Sequence, residues 1–158
     1  MKILIHCFAK PLRNGKINAK NYPCWPALIS MLQSHGHELT QVGVKDELKL
    51  VEPFLSDVSY TDLVWLVQDC GVWIDIDSFL QHLGWSIGKP GIAIFGKSDP
   101  LIFGHAENMN LLKSRTNLRV NQFAPWEDEF YDPAVFVDPL RAFAEIIQLM
   151  NQLVVRVA

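Results

Sequence analysis

The stretch "WIDIDSFLQHLGWSIGKPGIAIFGKSDP", residues 73–100, decides the fold. Its first part completes an apolar run, Gly71 to Ile76, that reads as a buried strand and stops at Asp77-Ser78. A helix-length run from Phe79 to Ile87, with His82 inside it, ends at Gly88-Lys89-Pro90. A second short apolar run, Gly91 to Phe95, then ends at Gly96-Lys97-Ser98-Asp99-Pro100. Two largely apolar strands joined through a helix form a parallel crossover unit, buried on both faces. Small polar residues at both strand ends mark the edge where open α/β sheets keep their ligands.

Working outward, Lys2 to Phe8 reads as a first strand and Ala9 to Asn21 as a polar, basic loop. Trp25, Leu28, Ile29 and Leu32 recur at helical spacing, so a helix is expected over Pro26 to Ser34, ending at Gly36. "HELTQVG" is a second strand; a short helix is expected around Glu47 to Phe54 and another from Thr61 through Gln68. Asn110 to Arg119 adds a further strand, and residues 121–135 show no clear period. A last helix from Pro139 carries Leu140, Phe143, Ile147, Met150 and Val154 on one face. Strands alternating with helices define a single Rossmann-like, three-layer α/β domain over residues 1–158 with a mainly parallel sheet.

Composition narrows the function. The 158 residues are 49% hydrophobic and 20% charged, an ordinary globular balance. A net charge of -3 supplies no basic face, so nucleic acid is not an expected partner. Cys7, Cys24 and Cys70 form no CxxC pair, which argues against zinc and a disulfide framework and for a reducing, cytoplasmic setting. The opening "MKILIHCFAK" is broken by His6 and Lys10 and reads as a strand, not a signal peptide. No run approaches the roughly 18 apolar residues of a membrane span.

The residues themselves leave two readings open. Asp77 or Ser78 is a helix N-cap, worth about 1 kcal/mol, or the helix start receives a phosphate. His82, one turn in, is either a packed core histidine or a contact to the same anion. Gly96 allows close approach of a ligand, while Ser98-Asp99-Pro100 is also ordinary turn chemistry. Lys20 is a solvated loop lysine or an anion contact, and Glu47 a first-turn helix residue or a site carboxylate. His35 and His37 resemble a metal pair, but around Gly36 they belong to a helix end, and no metal is expected. The acidic "WEDEFYD" run reads as a solvated loop whose aromatics could line a contact surface.

The run from Asp77 to Pro100 resembles, without a gap, the signature of the lipopolysaccharide heptosyltransferase-type glycosyltransferases: Asp-Ser/Thr-Gly, two residues, His, a helix, Gly-x-Pro, a strand, and Phe/Tyr-Gly-x-Thr/Ser-Asp-Pro. "KNYPCWPALISMLQSHGHELTQVG" is similar to the family's Lys-x-Trp-Pro segment, with Tyr22 for Trp, and "VGVKDE" to its Gly-x-x-x-Glu stretch. The resemblance implies one half of a GT-B fold, the C-terminal half that holds a nucleotide-diphosphate sugar, with no cofactor. Carried over, Lys20 contacts the donor's phosphate or sugar and Glu47 its ribose. Asp77, Ser78 and His82 lie at the diphosphate and transferred sugar, with Gly96, Ser98 and Asp99 at the cleft edge. Phe79 replaces the family's glycine, crowding the phosphate space. The family's general base comes from the other half, and this chain starts directly at the donor half's first strand. The catalytic residue is therefore unknown. The expected function is donor recognition that needs a second domain, from another chain or a second copy. A binding or assembly module that lost transfer is the alternative, and a small flavodoxin-like enzyme a third reading.

Overall fold

A computed structural model describes residues 1–157, with side chains through Val155. Six strands, β1 (Lys2–His6), β2 (Glu38–Gly43), β3 (Phe54–Ser56), β4 (Val72–Ile76), β5 (Gly91–Phe95) and β6 (Met109–Leu112), form one sheet in the order β3-β2-β1-β4-β5-β6. Every pairing is parallel. The order reverses between β1 and β4, so the chain has a topological switch point there.

Strand alternation sorts the core into two layers. Ile3, Ile5, Ile74, Ile76, Ile92 and Ile94 face α1 (Trp25–Ser34) and α5 (Pro139–Val157), where Leu28, Leu32, Ala142 and Ile146 close the layer. Leu4, Trp73, Ala93 and Phe95 face α2 (Tyr60–Asp69) and α3 (Phe79–Ser86), packing on Val67, Leu80 and Leu83. Glycine makes room for the largest of these. A Cβ on Gly91 or Gly84 would enter the Trp73 indole, whose Nε1 donates to the Lys89 carbonyl at 2.9 Å. These two layers on one parallel sheet are the expected α/β architecture.

Several local expectations are corrected. No helix forms over 47–54. Buried Gln41 takes that segment's backbone instead, accepting from Leu50 N at 2.8 Å and donating to Leu48 O at 2.9 Å. Pro53 also disfavours helical backbone at Glu52. The segment after β6 turns into a 3₁₀ turn at Arg115–Asn117, capped by Ser114, rather than continuing as strand to 119. Asp99 caps a short helix, α4 (Pro100–Phe103), where only a turn was expected. In α5 the buried line is Ala142, Ile146 and Met150, while Leu140 and Val154 are exposed. Among the described residues no helix is long and apolar enough to cross a membrane.

Candidate functional site

The β1–β4 switch point opens onto a cavity of about 700 Å³ whose lining includes His6, Lys20, Glu47, Asp77, Ser78 and Trp126. The volume lies within the range of small-ligand sites. Each residue arrives from a different element: His6 ends β1, Lys20 leaves the loop after it, Glu47 follows β2, and Asp77-Ser78 follow β4.

Lys20 Nζ donates to the Asp77 carbonyl at 3.1 Å and stands 2.9 Å from its Oδ2, close enough for an ion pair but poorly angled for a hydrogen bond. Gln81 Nε2 holds the other carboxylate oxygen at 3.1 Å. Two cations meet the Trp126 ring, Lys20 Nζ at 5.0 Å and the Arg119 guanidinium at 4.1 Å from its centre. The aromatic-acidic segment thus sends one side chain to the cavity wall, and Glu129 pairs with Lys97 at 3.0 Å.

Glu47 enters because Gly43 has no side chain. A Cβ there would run into the Glu47 carboxylate and come within 3.2 Å of the Phe54 ring. The Gly-x-x-x-Glu spacing is therefore a packing requirement. Glu47 Oε2 is buried without a partner among the described residues. Burial raises the Glu47 pKa above the ordinary carboxylate value, with His6 and the Val44 backbone acting in the opposite sense.

Beneath Ser78 lies an unexpected polar cluster. Asp75 is fully buried in β4, on the α3 side of the sheet. Its carboxylate accepts from His6 Nδ1 at 2.9 Å, Ser78 Oγ at 2.9 and 3.0 Å, Ile76 N at 2.8 Å and Gln81 N at 2.9 Å. Neither Asp77 nor Ser78 makes a side-chain cap on α3, since the Ser78 hydroxyl is committed to Asp75 and to His6 Nδ1 at 2.9 Å. Asp75 caps the helix from inside the sheet. Although His6, Asp75 and Ser78 make a hydrolase-like set, both contacts to the imidazole use Nδ1. The ring therefore cannot relay a proton from serine to carboxylate through its two nitrogens.

The remaining expected site residues do not line the cavity. The His82 ring is exposed and meets His105 Nε2 through Nδ1 at 2.8 Å, with Trp85 stacked on His105 at 4.2 Å. Gly96 and Ser98-Asp99 follow β5, the neighbour of β4, and so share the carboxyl edge of the sheet. None of them lines the cavity. A Cβ on Gly96 would sit 2.7 Å from the Phe136 ring, so that glycine serves packing. Ser98 is buried, and Asp99 accepts both Arg115 nitrogens at 3.0 and 2.7 Å while capping α4. His35 occupies the end of α1, its Nδ1 2.9 Å from the Met31 carbonyl, and no cluster of metal ligands exists among the described residues.

His6, Asp75 and Trp126 were not anticipated as site residues. The available signal was a polar residue at the last position of β1 and another near the end of β4, each on the face shared with Leu4 and Trp73.

Comparison with solved structures finds the same architecture in larger proteins. ADP-heptose lipopolysaccharide heptosyltransferase II of E. coli superposes with a TM-score of 0.69 at 18% identity, over 96% of this chain and 46% of its own. The family 9 glycosyltransferase of Veillonella parvula gives 0.67 at 15% identity, over 94% and 45%. The dodecameric iron-containing heptosyltransferase TibC of E. coli, in complex with ADP-D-beta-D-heptose, gives 0.60 at 15% identity, over 99% and 45%. The chain thus spans about half the length of these structures, and at such identities the likeness speaks for the fold, one Rossmann-like half of a GT-B protein. No curated protein matches. The family model for glycosyltransferase family 9 (heptosyltransferase) matches residues 12–124. By that match, which takes in most of the chain, it belongs to glycosyltransferase family 9, the heptosyltransferase family.

Proposed function

We propose that this chain forms one donor-binding domain that holds a nucleoside-diphosphate sugar in the switch-point cavity and takes part in sugar transfer with a second domain. The observation that carries the reading is the convergence of Lys20, Glu47, Asp77 and Ser78 on one cavity at the sheet's carboxyl edge. Family membership and the ADP-heptose complex of TibC support the ligand class. Lys20 meets the diphosphate, Glu47 accepts hydroxyl donors of the ribose, and Asp77 and Ser78 face the diphosphate and the sugar. His82, Gly96, Ser98 and Asp99 lie outside the cavity lining, and His82 and Asp99 are held by His105 and Arg115. The setting is cytoplasmic.

One observation favours a second reading, a binding module without transfer. The Phe79 ring lines the cavity and is 54% exposed, where the family signature has glycine. Calorimetric titration with ADP-heptose, and then with UDP- and GDP-sugars, tests the donor reading. At least one is expected to bind, and Lys20→Ala to weaken it. Binding by none of them overturns it, and binding without any transfer in the presence of acceptor fractions favours the module.

A further inference from the structure

We propose that His6 is an anion-binding residue of this cavity, its Nε2 donating to a diphosphate oxygen, and that Asp75 is the positioning residue that aims it. The inference rests on the donor reading above and adds a contact that the signature residues do not supply.

The geometry begins in the strands. Ile5 pairs with Ile74 across β1 and β4, so the next step in register sets His6 against Asp75 on the α3 side of the sheet. Asp75 is an acceptor only, so His6 Nδ1 must carry the hydrogen that lies between Asp75 Oδ1 and Ser78 Oγ, each 2.9 Å away. That choice makes Nε2 the atom that gains or loses the titrating proton. Nε2 has no hydrogen-bond partner among the described residues, and the ring, 19% exposed at its side chain, lines the cavity. Asp75 itself stays behind the ring and does not line it. The same arrangement orients metal-bound histidines in general: a carboxylate on one nitrogen fixes the ring and strengthens the other.

Charge gives the cavity a use for this ring. Its lining lysines are Lys10 and Lys20, and its lining carboxylates are Glu47 and Asp77, so these four sum to zero. Lys20 is already engaged by Asp77 at 2.9 Å. A diphosphate entering this cavity needs a further cation, and protonated His6 provides it. The groups facing His6 agree. Burial pulls the imidazole pKa down, but the charge and hydrogen bond of Asp75, with the more distant charge of Glu47, outweigh it and leave the pKa above the ordinary value. Ser78, from the turn before α3, contributes a neutral hydroxyl.

The test is an NMR titration of ring-labelled histidines in the whole chain, between about pH 5 and 9, with and without saturating inorganic pyrophosphate and, separately, ADP. His6→Gln assigns the resonance. Either anion is expected to raise the His6 midpoint by about one unit, equivalent to roughly tenfold tighter binding to the imidazolium. Asp75→Asn is expected to lower the midpoint of the free protein and to remove most of that anion-linked shift. An unmoved His6 midpoint with both anions at saturation, or binding of neither, overturns the assignment. A His6 response to pyrophosphate without binding of any nucleoside-diphosphate sugar defeats the donor reading and leaves His6 as an anion contact. Tight nucleotide-sugar binding with a silent His6 does the reverse.

Discussion

Asp75→Ala should destabilise the fold far more than a strand-end aspartate ordinarily would. Asp75 is fully buried and accepts from two buried main-chain amides, Ile76 N at 2.8 Å and Gln81 N at 2.9 Å, besides His6 and Ser78. Alanine leaves both amides without this acceptor, at about 1–3 kcal/mol for each buried orphan. It also removes the cap of α3, worth about 1 kcal/mol, although that value overlaps with the loss of the Gln81 bond. Half-buried Ser78 and His6 can turn to water, so they add little. The sum is about 3–5 kcal/mol, a large part of the roughly 5–15 kcal/mol that holds a typical domain together. With a urea slope near 2 kcal/mol/M, the midpoint should fall by about 2 M at unchanged slope. Asp75→Asn, which keeps one acceptor oxygen, should lose about half as much. An alanine midpoint within about 0.5 M of the parent would show that water or a rearranged Ser78 serves these amides, and the internal cap would not be structural.

Four further outcomes follow from the same geometry. Lys20→Ala should weaken nucleoside-diphosphate binding by about 1–3 kcal/mol, the scale of a charged hydrogen bond; calorimetry showing unchanged affinity would return Lys20 to a role in holding Asp77. Gly43→Ala should displace the Glu47 carboxylate and so cost nucleotide affinity as much as Glu47→Ala does, a comparison that fails if the two losses differ widely. Because His6 has a folded pKa above its unfolded value, its stabilisation is complete below the unfolded value near 6.5 and is lost as pH rises through the folded one. The urea-midpoint gap between parent and His6→Gln should therefore be wider at pH 6 than at pH 9. Phe79→Gly should raise nucleotide-sugar affinity measured by calorimetry, since the ring lines the cavity where the family signature has glycine.

The fold was legible wherever burial and period agreed. β4, α3 and β5 lie within a residue of their expected limits because continuous apolar strands and a glycine-ended helix leave few alternatives. The segment 47–54 was not legible, because its backbone is organised by Gln41, a side chain from another strand. Long-range side-chain bonds of that kind leave no local period to read. The same holds for α5, where Leu140, Phe143, Ile147, Met150 and Val154 at helical spacing read as one face. The small residue Ala142 sits in the buried line instead, since Ala142 and Ile146 face the sheet layer while Leu140 points to solvent.

The site was half legible, for a reason that lies in the difference between loops and strands. Lys20, Glu47, Asp77 and Ser78 sit outside the regular elements, where a charged residue invites a functional reading, and they reach one cavity. Asp99 has the same outward marks and His82 lies one turn into α3, yet each is engaged by a neighbour that spacing does not reveal, Arg115 and His105. His6 and Asp75 were hidden by the opposite effect, since each lies inside a strand, His6 as a break near the end of β1 and Asp75 within a run that reads as apolar. Alternation nevertheless places both on the α3 side, and the parallel register brings them side by side one step past the Ile5–Ile74 pair. A buried carboxylate persists only with partners, and here the partners are a serine that the signature marks and a histidine that it does not. In a parallel sheet, a polar residue at the carboxyl end of one strand is best read against the same-face residue of its neighbour.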